Sequence, residues 1–158
     1  MTRRSAAAVL LLALAGCGGD GKRPDEGKSA EELRAMLDDP DPHKQAQGAL
    51  GLSRYGRDAL PALPRLVELL RGSDAVVRQQ VALALGKIGP DAVEAVPALT
   101  EALADEEWLV RRQAALALGE IGPPARSALP RLRRLESDPH PPVRRAAVEA
   151  QGQIRRGQ

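Results

Sequence analysis

Apolar side chains recur through residues 75–88 at Val77, Val81, Ala84, Leu85 and Ile88, the spacing of one face of an α-helix. The pattern returns 33 residues on. Val77-Arg78-Gln79-Gln80-Val81-Ala82-Leu83-Ala84-Leu85-Gly86-Lys87-Ile88-Gly89-Pro90 aligns without a gap on Val110 to Pro123, and Val143-Arg144-Arg145 leads to Gly152-Gln153-Ile154 after another 33. A weaker copy precedes them from Lys44 to Arg57. A second motif keeps the same register: Leu63-Pro64-Arg65-Leu66, Val96-Pro97-Ala98-Leu99 and Leu129-Pro130-Arg131-Leu132. A fixed period of this length is the mark of stacked supersecondary units.

Each unit predicts two helices. The first, near 60–70, 94–103 and 127–136, carries Pro in its first turn, where a missing N–H costs little. The second, near 75–88, 108–121 and 141–154, ends at Gly89 or Gly122 followed by Pro, a stop signal that predicts a left-handed cap. Asp41 and Asp74 stand where N-caps are expected, and Ser29 to Glu32 fits a capping box. Four helix pairs follow from Ser29 onward. Composition agrees: Ala and Leu supply 27 and 23 residues, Val and Ile 13, and Trp108 and Tyr55 are the only aromatics. Sheet architectures are disfavoured by that balance.

The units resemble HEAT repeats, in particular the short HEAT-like form of phycobilin lyase subunits, with an apolar helix, an Asp, then V-R-x-x-A-x-x-A-L-G-x-I-G. The resemblance covers residues 29–156 and implies an all-α, right-handed α-solenoid of about four helix pairs. It also implies an Asp–Arg ladder between repeats, which maps onto Asp105 with Arg111 and Asp138 with Arg144. The ladder is incomplete, since Gly72 precedes Arg78 and Asp39 precedes Gln45; looser stacking is expected at the amino-terminal end. Gln151 replaces Leu52, Leu85 and Leu118, and Glu149 replaces Leu50, Leu83 and Leu116. Such polar replacement is expected to seal the end of an array.

The chain opens differently. Arg3 and Arg4 precede an apolar run from Ala6 to Leu14, too short to span a bilayer but suited to a signal-peptide core. Leu14-Ala15-Gly16-Cys17 resembles the lipobox of bacterial lipoproteins, in which the Cys is lipidated and becomes the first mature residue. The resemblance implies a signal peptide over 1–16, then a lipidated Cys17 and flexible tether over 17–28. Gly18 follows Cys17 in place of the Asp linked to inner-membrane retention, so the expectation is an outer-membrane anchor facing the periplasm in a diderm host. Residues 18–28 would span roughly 18 Å as a flexible coil.

Charge changes the picture little. Net charge is +2, and removal of 1–16 leaves 21 basic and 21 acidic side chains. The balance is uneven, with eight Arg from Arg126 onward against Glu136, Asp138 and Glu149. A nucleic-acid role through that basic repeat is one alternative reading. Catalytic chemistry is sparse: His43 and His140 stand apart beside Pro as expected capping residues, Cys17 is the single Cys, and no Ser-His-Asp set or metal-ligand spacing emerges. Neither an enzyme nor a cofactor is expected; a lyase-like subunit acting on a bound chromophore is the enzymatic alternative.

What remains is a surface. On the second helices, Val76, Gln79, Leu83, Gly86 and Lys87 lie opposite the apolar face and are expected to line the groove of the solenoid. Leu50, Leu83 and Leu116, extended by Val76 and Leu109, form an apolar column bordered by Gln79, Arg112 and Arg145, the anatomy of a protein-binding patch. The column either faces the groove or fills space between helices. Trp108 is either an interface anchor or a cover for a helix end. Four helices about 21 Å long at about 9 Å spacing give a groove of roughly 600 Å², suited to a peptide or one transient domain contact. The expected partner is a protein or peptide of the cell envelope, bound by a monomer.

Overall fold

The protein's structure, a computed structural model, describes residues 27–156; the signal segment, Cys17 and nearly all of the tether lie outside them. Eight α-helices order these residues as four pairs: α1 (Ala30–Met36) with α2 (Pro42–Leu52), α3 (Leu63–Leu69) with α4 (Ala75–Ile88), α5 (Val96–Ala102) with α6 (Trp108–Ile121), and α7 (Leu129–Arg134) with α8 (Pro141–Arg155). The long helices α2, α4, α6 and α8 pack side by side in chain order, and each short helix lies against its own partner. The result is an all-α solenoid.

Its start signals act as the sequence predicts. Ser29 and Glu32 close a reciprocal capping box on α1. The Asp41 carboxylate accepts from His43 N at 2.9 Å, and that of Asp74 from Val76 N and Val77 N at 2.9 and 3.0 Å. These bonds satisfy donors that the first turn of a helix leaves without partners.

Two features differ from expectation. The first helices are shorter, because each α-helix begins one residue before its Pro and is preceded by a 3₁₀ segment: Gly56–Ala62, Gly89–Ala95 and Pro123–Ala128. A ring nitrogen cannot donate, so the α-helical ladder cannot run through Pro64, Pro97 or Pro130. Gly89 and Gly122 have positive φ, but their ψ values of −144° and −140° place them outside the left-handed helical region. The following Pro favours this, since it disfavours a helical ψ in the residue before it; glycine readily accepts the extended, positive-φ geometry found here.

The core is one continuous body of small aliphatics. Val77, Val81, Ala84, Leu85 and Ile88 are all buried, as are Val110, Ala114, Ala117, Leu118 and Ile121 one period later. Alanine at 49, 82 and 115 lets neighbouring pairs approach. At Gly86 the approach is tighter still: a methyl group there would stand 2.9 Å from the Ala117 Cα, and at Gly119 the same distance from the Ala150 Cα. These glycines are therefore helix–helix contacts. Gly86 does not line an open groove.

The last repeat also departs from expectation. Gln151 is buried, and its Nε2 donates to Glu136 Oε1 at 2.7 Å. Glu136 occupies the column of Leu37, Leu70 and Leu103, so a buried leucine pair is replaced by a hydrogen-bonded polar pair inside the repeat. Gln151 thus seals nothing. Val148 lies 58 % exposed in the column where Ala49, Ala82 and Ala115 are fully buried beneath the next repeat.

Candidate binding surface

The solenoid has two edges with distinct chemistry, a polar ladder at the interhelix turns and a mixed flank along the second helices. In the ladder, Arg78 sends Nε and Nη2 to the Asp105 carboxylate at 2.8 and 2.9 Å while Nη1 donates to the carbonyls of Gly72 and Ser73 at 3.0 and 2.9 Å. Arg111 repeats this geometry. Its Nε and Nη2 reach Asp138 at 2.8 and 3.2 Å, and its Nη1 reaches the Asp105 and Glu106 carbonyls at 2.8 and 3.1 Å. The predicted pairing is therefore corrected. Asp105 pairs with Arg78 of the preceding repeat, and Arg111 touches only the Asp105 backbone. Likewise Asp138 pairs with Arg111, while Arg144 meets only the carbonyls of Asp138 and Pro139 at 2.8 and 3.2 Å.

Each fork is two-pronged and nearly dry, with side-chain exposures of 10 % and 10 % in the first rung and 12 % and 4 % in the second. Burial pushes the Asp138 carboxyl toward its neutral form, but hydrogen bonds from the Arg111 guanidinium and the His140 N–H outweigh it and hold the pKa below the usual aspartate value. The spacing within a rung is 27 residues. Between the first two repeats the corresponding residues are Gln45 and Gly72, so both members of that rung are missing; Gln45 Nε2 donates instead to the Asp39 carbonyl at 2.8 Å.

Trp108 belongs to this edge. Its ring stacks on His140 with centroids 5.3 Å apart and planes 5° from parallel, joining the starts of α6 and α8. One ring face is thus committed within the molecule, against the residue that precedes α8. His140, expected to be a solvated capping residue, makes no side-chain cap; its Nδ1 lies 3.3 Å from Asp138 Oδ1 and 3.4 Å from Arg111 Nη2.

Along the second helices, Leu50, Leu83, Leu109 and Leu116 are half-buried, with Leu116 packed against the core. Val76 is 37 % exposed. Gln79 and Arg112 are half-buried and Arg145 is exposed. The leucine column thus divides its surface between neighbouring helices and the open flank. Lys87, expected to line the groove, joins Glu120 of the next repeat at 2.7 Å. Two open hollows, of about 490 and 540 Å³, lie elsewhere: one beside the ladder at Leu70, Gly72 and Ala98, one at the amino-terminal pair at Ser29, Leu33 and Gly51.

Sequence reading missed the ion pairs that join first helices and turns of adjacent repeats: Arg57–Asp91 at 2.8 Å, Arg65–Asp38 at 2.9 Å and Arg71–Glu101 at 3.1 Å. Opposite charges 27 to 34 residues apart were the available signal. Among the described residues no three His, Cys, Asp or Glu side chains converge as metal ligands. Among the same residues no helix is long and apolar enough to cross a membrane.

Residues 63–150 match the family model for HEAT repeats. The chain belongs to the HEAT repeat family. Solved structures agree with this HEAT array in fold. A designed armadillo repeat protein in complex with the peptide (KR)4 is similar at a TM-score of 0.69 and 20 % identity, covering 79 % of this chain and 64 % of its own. Human deoxyhypusine hydroxylase in complex with glycerol is similar at 0.63 and 29 %, covering 95 % and 53 %. The complex of CpcE and CpcF of phycocyanin lyase from Nostoc sp. PCC7120 is similar at 0.59 and 20 %, covering 89 % and 71 %. The chain therefore spans less than two thirds of the designed and human proteins. Among curated proteins no relative matches.

Proposed function

We propose that this HEAT array is a membrane-tethered, non-catalytic adaptor whose second-helix flank holds an extended peptide or a small face of another cell-envelope protein. The observation that carries the reading is the half-open column of Leu50, Leu83 and Leu116 with Val76 beside it, bordered by Gln79, Arg112 and Arg145. Partly exposed apolar side chains inside a polar rim gain free energy when a partner removes them from water. The peptide held by the designed armadillo neighbour supports the same kind of use. The lipobox-like Leu14-Ala15-Gly16-Cys17 supports anchoring through acylated Cys17, facing the periplasm, where a short tether raises the local concentration of the array around membrane-bound partners.

Crosslinking in intact cells followed by mass spectrometry tests the adaptor. Val76→Asp, at an exposed position, and Leu83→Asp with Leu116→Asp are expected to remove the crosslinked partner without changing helical content. If capture survives in a folded Val76→Asp chain, the flank is not the binding surface. A chromophore absorbance band in the purified protein would contradict a non-catalytic adaptor and favour a lyase-like role. Loss of a lipid mass adduct in Cys17→Ser is expected; an adduct that persists would refute the anchor.

A further inference from the structure

The last described repeat leaves one half of the repeat junction open, and the first carries the polar part of the other half. Arg144 holds the pose of Arg78 and Arg111, with Nη1 on the carbonyls six and five residues back. In the earlier rungs the remaining two prongs bind the Asp 27 residues on; for Arg144 nothing among the described residues accepts from Nε or Nη2. Beside it stands Val148, exposed where internal repeats bury alanine. Gly152 continues the Gly86 and Gly119 column, but its nearest neighbour is 3.7 Å away.

The other end offers the acceptor half. Asp39 is the first-repeat equivalent of Asp105 and Asp138, and its Oδ1 takes the N–H two residues on at 2.9 Å, as theirs do. Among the described residues no arginine reaches it; Lys44, an exposed side chain of the same repeat, sits on Oδ2 at 2.8 Å and can swing away. Four periods make the residue 27 beyond Arg144 equivalent to Asp39. A second pairing follows the same arithmetic. Arg57 binds Asp91, and the equivalents at the two ends are Arg156 and Asp58, both exposed. Leu33 of α1 covers Gly51 of α2, so the apolar surface offered to Val148 is that of exposed Ala35 and half-buried Met36. Charge agrees, with eight Arg against three acids from Arg126 onward and six acids against four bases over residues 29–58 of the first repeat.

We propose that copies of this chain associate head to tail, the open face of the last repeat receiving the first repeat of a second copy, with Arg144 on Asp39 and Arg156 on Asp58. Such a contact is heterologous and extends the solenoid, with the self-repeating geometry that gives chains or rings. It departs from the monomer expected from the sequence.

The test places a photo-crosslinking amino acid at position 148 of the full chain. Irradiation is expected to give adducts of twice the chain mass, mapping to residues 32–41 of the second copy. Arg144→Glu and Asp39→Lys, with unchanged melting, should each lower the adduct yield about tenfold, as expected for loss of a close interfacial charge pair. Mixing the Arg144→Glu chain carrying the probe with the Asp39→Lys chain should restore it, because the swapped charges again oppose. Should either variant unfold, Arg156→Glu and Asp58→Lys serve the same exchange at exposed positions. Absence of a double-mass adduct, adducts mapping elsewhere, or yields indifferent to the charge swaps would overturn the proposal.

Discussion

The junction between the first two repeats and the junction between the last two use the same backbone arrangement with different glue. At the later one, Arg111 forks onto Asp138, Trp108 stacks on His140, and Gly119 admits α8 to close contact. At the earlier one the rung positions hold Gln45 and Gly72, and the polar links are the more exposed pairs Arg65–Asp38 and Arg57–Asp91. Yet Leu52, Leu66, Val81 and Leu85 are as fully buried as their later counterparts. Apolar packing sets the stack, and the ladder adjusts how firmly each repeat is held. That division is expected physically, since a desolvated ion pair roughly breaks even against its own dehydration, whereas one left half-made is costly.

The largest effect should come from leaving a buried guanidinium alone. Asp105→Ala strands Arg78 and removes the carboxylate that accepts from Glu107 N, and urea unfolding should register a loss of about 3 kcal/mol. Gln45→Ala, at the rung-less junction, should cost under about 1 kcal/mol. Equal losses would mean that the ladder is not what distinguishes the junctions. Overpacking comes next. Gly119→Ala forces a methyl group against the Ala150 Cα and should cost about 1–3 kcal/mol, while Gly152→Ala, in the open equivalent column, should be neutral or gain up to about 1 kcal/mol from helix propensity. Thermal melts of both variants check this.

Building the missing rung sharpens the comparison from the other side. Gln45→Arg with Gly72→Asp should show a favourable coupling of about 1 kcal/mol in a double-mutant cycle. The new Cβ at position 72 meets the Leu69 carbonyl at 3.1 Å, so Gly72→Asp alone should destabilise slightly. Acid titration gives the smallest difference. The Asp138 pKa is lower in the folded chain than in the unfolded one, so its contribution is present above about pH 4 and fades as pH falls through the folded value. Asp138→Asn should flatten the decline in melting temperature below pH 4. Glu32 and Asp39, whose pKa values are also lowered, would supply the slope that remains.

Most of the fold was legible in the sequence because stacking depends on which residues are apolar and at what spacing. The second helices match their predicted bounds almost residue for residue, since Asp41, Asp74, Gly89 and Gly122 mark their ends chemically. The first helices were overextended because a proline in a first turn does not reveal whether the residues before it are 3₁₀ or α. The ladder was legible in its residues but not in its pairing. Arg111 stands six residues from Asp105 and 27 from Asp138, and only the structure shows that the guanidinium spends Nη1 on the nearer backbone and its fork on the farther carboxylate. Gln151 misled because a polar residue in an apolar column has two explanations, an exposed face or a buried side chain with a polar partner, and the exposed Glu136 is that partner. The flank was half legible: periodicity orients Leu50, Leu83 and Leu116 away from the main core, but how much neighbouring helices cover depends on their approach.

Residue-resolved hydrogen exchange under native conditions most directly probes stacking by apolar faces with a ladder that firms the later junctions. Both α2 and α8 belong to the outermost described repeats. The amides of α2, joined to α4 without a fork, should exchange at a lower opening free energy than those of α8, with α4 and α6 protected longest. Protection of α2 equal to or above that of α8, or one uniform opening energy across all four repeats, would contradict it.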